Sequence, residues 1–197
     1  GLKDVDELQS YFVNRIGKFI NSKGRKLLGW DEIAEGKLPE NAAIMSWRGE
    51  EGGIKALKTG HPAIMTPGQF CYFDFYQDVP HLQPEALGGF TPTEKVYSYE
   101  PVNSQMTQED LKLLLGVQAN LWTEYIPTSK HAETMIYPRI LALAEVAWTA
   151  AERKSWPDFR QRVLSSINVL QNKGYNPYDL KNEIGDRPES KVIIKHL

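Results

Sequence analysis

The sequence predicts an α/β fold with a parallel sheet, and three observations lead there. Short, continuous apolar runs alternate with stretches of helical spacing, the order in which parallel strands and their crossover helices follow one another. About four such βα units are visible in the 197 residues, half the number in an eight-stranded barrel. Aromatic and acidic residues recur at the ends of the apolar runs, where barrels of this kind carry their active sites.

The elements follow in order. From Asp4 to about Lys23, the residues Val5, Leu8, Phe12, Ile16, Phe19 and Ile20 recur at three- and four-residue spacing, which predicts an amphipathic helix ended by Gly24. The runs "KLLGW" (26–30) and "AAIMSW" (42–47) predict strands buried on both faces. "GEEGGIKALKTG" (49–60) predicts a weak helix interrupted by glycines, and "PAIMT" (62–66) with "QFCYFDF" (69–75) a further strand region. Residues 76–106 form a polar, proline-containing stretch, longer than a compact domain usually carries without a functional reason. "TQEDLKLL" (107–114) predicts a short helix capped by Thr107 and leading into the strand "GVQANLW" (116–122). Residues 130–149, with "YPRILALAEVAW", and 156–173, with Phe159, Val163, Ile167 and Leu170, predict the last helices. The polar stretch 175–197 gives that final helix no partner pattern and reads as a tail or a linker to a further module.

Composition narrows the function classes. With 41% hydrophobic and 24% charged residues the chain has the makeup of a globular domain, and a net charge of −2 with both signs mixed lacks the basic stripe of a nucleic-acid binder. No apolar run approaches the roughly 20 residues of a membrane helix, so no membrane partner is expected. The single cysteine, Cys71, excludes an internal disulfide and reads as a small hydrophobe. His61, His81, His131 and His196 show no metal-ligand spacing, and no phosphate-cradling glycine loop or nucleophile elbow occurs. No metal and no cofactor are expected.

Two pairs combine an aromatic ring with a carboxylate. In an extended segment residues two apart share a face, which pairs Tyr72 with Asp74 and Trp122 with Glu124. A sugar suits such a mouth, because its C–H faces stack on aromatic rings while its hydroxyls donate to carboxylates. Hydrogen bonds to charged groups contribute on the order of 1.5–3 kcal/mol. Trp30 and Trp47, at the ends of their runs, read equally as barrel-wall residues or as sugar contacts. A carboxylate at a strand end needs an arginine or a ligand, and Arg48 and Arg139 are the candidate partners. The adjacent Asp31 and Glu32 sit at a strand-to-helix junction, where Asp caps helix amides and Glu favours the first turn.

The set "GWDEI", "MSWRG", "TPGQFCYFDF", "NLWTEYI" and "YPRILALAEVAW", in this order, resembles glycoside hydrolase family 20, the β-N-acetylhexosaminidases. The resemblance implies the C-terminal half, about strands five to eight with their helices, of a (β/α)8 TIM barrel over residues 1–174, with 175–197 as a tail. It implies a parent enzyme that removes terminal β-linked N-acetylglucosamine or N-acetylgalactosamine by retaining, substrate-assisted hydrolysis, an exception to two-carboxylate catalysis. Its partner is then a glycan ending in N-acetylhexosamine, and its compartment secreted, periplasmic or lysosomal.

By the same resemblance Trp30 and Trp47 wall the pocket of the acetamido methyl, and Trp122 underlies the sugar ring. Tyr72 is catalytic, its hydroxyl meeting the acetamido oxygen. Asp74 and Glu124 hold ring hydroxyls. The family's adjacent Asp-Glu pair, in a motif like "GGDE", does not occur in these residues, so the isolated chain is expected to be inactive. The competing expectation is a non-catalytic carbohydrate-binding half-barrel. Half a barrel leaves open edges, which invite self-association.

Overall fold

The structure, a computed structural model, describes residues 2–184. In chain order its elements are α1 (Val5–Ser22), β1 (Leu28–Trp30), β2 (Ala43–Ser46), α2 (Glu51–Lys58), β3 (Ala63–Met65), α3 (Gly68–Cys71), α4 (Thr93–Tyr97), α5 (Gln108–Leu111), β4 (Leu114–Val117), α6 (Ser129–Ile136), α7 (Arg139–Trp148) and α8 (Trp156–Asn172). A 3-10 turn, Asp31–Glu35, follows β1 directly. The chain divides into two units, residues 1–68 with 101–117, and 69–100 with 118–197.

The first unit holds the sheet. Its four strands run parallel in the order β1-β2-β3-β4, as successive βα units require. Ala43, Ile44, Ala63 and Met65 are buried in it, which is why β2 and β3 read as unbroken apolar runs. Ile54, Ala56 and Leu57 of α2 are buried with them. The glycines that weaken α2 as a helix have a packing reason, because a Cβ on Gly53 would lie 2.7 Å from Cε of Met65. Thr107 and Asp110 form a reciprocal capping box on α5, as the threonine predicts.

Helix α1 forms where its spacing predicts, but its apolar stripe stays exposed: Val5 is 77%, Phe12 62% and Phe19 61% accessible. Its polar side makes the contacts. Asn14 donates to the carbonyl of Lys37, Gln9 to that of Glu32 and Asn21 to that of Glu40, and Gly17 lets Pro39 approach to where a Cβ would stand 2.9 Å away.

The second unit packs α4 against α7. Tyr97 of α4 stacks on Phe159 of α8 at 4.5 Å and donates to Glu145 at 3.0 Å. Helix α6 ends before the cis Tyr137–Pro138 bond, so the helix expected over 130–149 is two helices, each with its own start. Within residues 175–184, Tyr178 and Leu180 are buried, and the Tyr178 hydroxyl donates to Asp78 at 2.6 Å. The rest of the expected tail, from residue 185, lies outside the described residues.

Two expected strand segments are corrected. Residues 69–71 belong to α3, and only Tyr72 pairs, in an isolated parallel bridge with Asn120. Strand β4 ends at Val117, short of Trp122, and Glu124 lies in a turn. Strand alternation therefore does not orient Tyr72 with Asp74 or Trp122 with Glu124. Apolar runs with helix or turn ends mimic strands when periodicity alone is read.

Candidate functional site

In the first unit the candidate aromatics stand at strand ends. Trp30 is the last residue of β1 and Trp47 follows the last residue of β2, both half-buried. The register pairs Trp30 with Met45, so Asp31 and Glu32, next along, are adjacent to the segment that leaves β2. Asp31 does not cap its own turn, whose first amides receive no side-chain bond. Its Oδ2 accepts from the backbone amides of Trp47 at 3.1 Å and Arg48 at 3.3 Å, and its Oδ1 from Arg48 Nε at 2.7 Å. Glu32 Oε1 accepts from the Trp47 indole at 2.9 Å. Arg48 also pairs with Glu35 at 2.6 Å, and both carboxylates hold its pKa up, Glu35 more strongly. Arg48 thus serves Asp31 and Glu35.

In the second unit Asp74 is the group of greatest consequence. It is 2% exposed, its Oδ1 accepts a long bond of 3.4 Å from the Trp122 amide, and its Oδ2 is buried without a hydrogen-bond partner among the described residues. Burial pushes its pKa up to about 6. Backbone hydrogen bonds and the charge of Arg139 oppose that rise, and the charge of Glu124 adds to it. Trp122 presents 40% of its surface, and Glu124 is exposed. The structure thus gathers a buried carboxylate with spare accepting capacity, an exposed indole and a second carboxylate. Tyr72, 7% exposed, lies two residues before Asp74 with its ring 5.4 Å from that of Phe75.

Two supports were not visible as such in the sequence. Asn120 brackets Tyr72, donating its amide to the Cys71 carbonyl at 2.8 Å and accepting from the Phe73 amide at 2.7 Å. Arg139 is fully buried and donates to the carbonyls of Phe73, Phe75, Thr91 and Met135. Its guanidinium lies 4.9 Å over the Phe73 ring. Burial lowers its pKa, the charge of Asp74 opposes that, and a guanidinium stays protonated. The expected Asp74–Arg139 partnership is therefore electrostatic, while the hydrogen bonds of Arg139 go to the backbone around Asp74. Cys71 is buried, as a small hydrophobe is. Among the described residues no group of three or more His, Cys, Asp or Glu is placed to hold a metal ion, and no helix is long and apolar enough to cross a membrane.

Comparison with known proteins sets this geometry in a family. Residues 1–151 match the model of the glycosyl hydrolase family 20 catalytic domain. A β-hexosaminidase of Porphyromonas gingivalis is 45% identical over 177 residues, 89% of this chain and 23% of its own length. One from Vibrio furnissii is 35% identical over 147 residues, 73% of this chain and 24% of its own. The chain thus spans about a quarter of the length of these curated relatives. Among solved structures, the family 20 exo-β-N-acetylglucosaminidase of Vibrio harveyi in complex with N-acetylglucosamine superposes with a TM-score of 0.81 and 30% identity, over 90% of this chain and 28% of that one. The parallel α/β arrangement is accordingly part of the family's TIM barrel, and the chain belongs to glycosyl hydrolase family 20.

Proposed function

We propose that this chain is the sugar-binding C-terminal half of a β-N-acetylhexosaminidase barrel, and that the intact enzyme removes terminal β-linked N-acetylglucosamine or N-acetylgalactosamine from glycans. One observation carries the reading: the buried Asp74 carboxylate, with Oδ2 unpartnered, beside the exposed indole of Trp122. An unsatisfied buried carboxylate is costly in the unliganded protein, and a sugar hydroxyl relieves that cost by donating to it. The indole supplies the apolar platform for the ring that presents the hydroxyl.

In this reading Asp74 and Glu124 accept from ring hydroxyls, Trp122 stacks under the ring, and Trp30 and Trp47 line the acetamido pocket. Tyr72 donates to the acetamido oxygen as that oxygen attacks the anomeric carbon with retention. The upstream half of the barrel then supplies the adjacent Asp-Glu pair, consistent with relatives about four times as long as the part matched.

The test is a titration of the chain with methyl β-N-acetylglucosaminide, following tryptophan fluorescence in the native chain and in Asp74→Ala and Trp122→Ala variants. Saturable quenching that either substitution weakens at least about tenfold is expected, the factor for one lost charge-assisted hydrogen bond or a lost stacking platform. Binding indifferent to both substitutions overturns the reading.

A further inference from the structure

Glu32 lies in the first turn of the 3-10 segment, as a helix-start residue does, and its side chain also makes a more specific contact. The turn after β1 places two consecutive carboxylates against the first two residues after β2. Asp31 Oδ2 accepts from the backbone amides of Trp47 and Arg48 at 3.1 and 3.3 Å, its Oδ1 accepts from the Arg48 side chain at 2.7 Å, and Glu32 accepts from the Trp47 indole N–H at 2.9 Å. The two hydrogen bonds to Trp47 act on different parts of it. One fixes where its Cα stands, and the other fixes the rotation of the ring about its side-chain torsions, which a backbone bond leaves free.

The anchors are themselves braced. Asp31 is 4% exposed, and Gly52 of α2 approaches so closely that a Cβ there would lie 2.8 Å from the Cβ of Asp31. Ser46 Oγ accepts from the Gly53 amide and donates to the Gly49 carbonyl, both at 2.8 Å, closing the loop on the other side of Trp47. Gln9 of α1 donates to the Glu32 carbonyl at 3.3 Å. A charged acceptor on a braced backbone holds an indole more firmly than packing alone, because charge-assisted bonds are shorter and roughly twice as strong as neutral ones.

We propose that Glu32 is the positioning residue for Trp47, locking the indole in the orientation in which its face lines the acetamido pocket. The pocket assignment rests on the proposed function, whereas the orientation of the ring by Glu32 does not. A residue placed this way improves selectivity for N-acetylated sugars without touching the reacting atoms, since a pocket for one methyl group works only if its walls do not swing.

The experiment uses the whole chain labelled with 15N at the tryptophan indoles, with the Trp47 signal assigned by its loss in Trp47→Phe. In Glu32→Leu the Trp47 indole proton should move upfield and exchange about ten- to a hundredfold faster, the factor for a lost charge-assisted hydrogen bond, while the other four indoles stay in place. In Glu32→Gln, which keeps an acceptor of similar length, the shift should be in the same direction and smaller. A Trp47 signal unmoved in both variants overturns the proposal, and if the leucine variant does not fold, an unmoved signal in the glutamine variant overturns it alone. Titration with N-acetylglucosamine and with glucose separates the two readings. Selective loss of N-acetylglucosamine affinity in Glu32→Leu supports both, whereas a moved indole with unchanged affinity leaves Glu32 positioning Trp47 and removes Trp47 from the acetamido pocket.

Discussion

Arg139 Nη1 donates to the carbonyl oxygen of Phe75 at 3.0 Å, and its Nη2 reaches the carbonyl of Phe73, so one buried guanidinium grips the backbone on both sides of Asp74. The planar fork allows this: five donors in fixed directions meet the carbonyls of Phe73, Phe75, Thr91 and Met135, which no ammonium group spans. Its positive charge also favours the ionised form of Asp74. Arg139→Met should therefore destabilise the chain by about 3–5 kcal/mol, because several buried carbonyls lose their donor at once. Arg139→Lys should recover only part of that. Urea denaturation of the three proteins measures the loss, and a lysine variant as stable as the native chain would refute the multi-carbonyl role.

The raised pKa of Asp74 sets a pH dependence with a definite sign. Its carboxyl has an ordinary pKa of 3.8, which burial pushes up to about 6 in the folded chain. The folded state thus holds more protons between those values. The stability from this group is fully present below about pH 4 and is lost as pH rises through about 6, a change on the order of 3 kcal/mol. Glu183, whose pKa burial pushes up to about 7, adds a change of the same sign. Asp74→Asn isolates the first contribution. It should be more stable than the native chain at pH 7.5 by about 1–3 kcal/mol and show no gain at pH 4, in urea midpoints taken at both values. A gain that does not vary with pH would mean that Asp74 does not titrate in this window. The same substitution should weaken sugar binding at pH 7.5, where the native carboxylate is the better acceptor.

The sequence made β2 and β3 legible because buried parallel strands carry unbroken apolar runs, and it made α5 legible because its capping box is a local signal. β1 forms where its apolar run predicts but at the edge of the sheet among the described residues, with Leu28 45% exposed rather than buried on both faces. Residues 69–75 misled, because the run "QFCYF" is as apolar as a strand yet forms the end of α3 and the start of the loop after it, where Cys71, Tyr72 and Phe73 are buried. Among the site residues, the aromatic and acidic types could be read directly. How they are supported could not. Arg139 could be named as a candidate partner of a carboxylate, but it lies 65 residues beyond Asp74 and reaches the loop through carbonyl groups that every residue possesses. Asp31 and Glu32 look like helix-start residues from their neighbours and become clamps only when β1 and β2 lie side by side.

The exposed stripe of α1 should drive association. Val5, Leu8, Phe12 and Phe19 are each more than half exposed on a helix held to its unit through polar contacts on its other side. The charges along α1 are segregated, with Asp4, Asp6 and Glu7 at its start and Arg15, Lys18 and Lys23 toward its end. An antiparallel second copy sets acidic against basic on both flanks of an apolar seam, the self-complementary arrangement of a two-fold dimer. Sedimentation should show a concentration-dependent dimer that Phe12→Asp abolishes and that salt weakens. A monomer at every concentration would count against it.

The last prediction concerns catalysis. The chain alone should hydrolyse aryl N-acetylglucosaminides at least about 10²–10⁴-fold more slowly than an intact family member, the range that a general acid contributes. Its own adjacent carboxylates are not expected to act as the catalytic pair, since Asp31 is engaged with Trp47 and Arg48, and Glu32 Oε1 with the Trp47 indole. In a full-length enzyme carrying this chain, Tyr72→Phe should lower kcat with little change in KM, because its hydroxyl acts on the acetamido oxygen during attack. Glu124→Gln should raise KM, because an exposed carboxylate that accepts from ring hydroxyls works in the ground state and the transition state alike. Steady-state assays of the chain and of the full-length variants separate these roles. Robust turnover by the isolated chain would return Asp31 and Glu32 to consideration as acid and helper. Unchanged kinetics in Tyr72→Phe would take its hydroxyl out of the mechanism and leave Tyr72 as a packing residue between Phe75 and the Asn120 bridge.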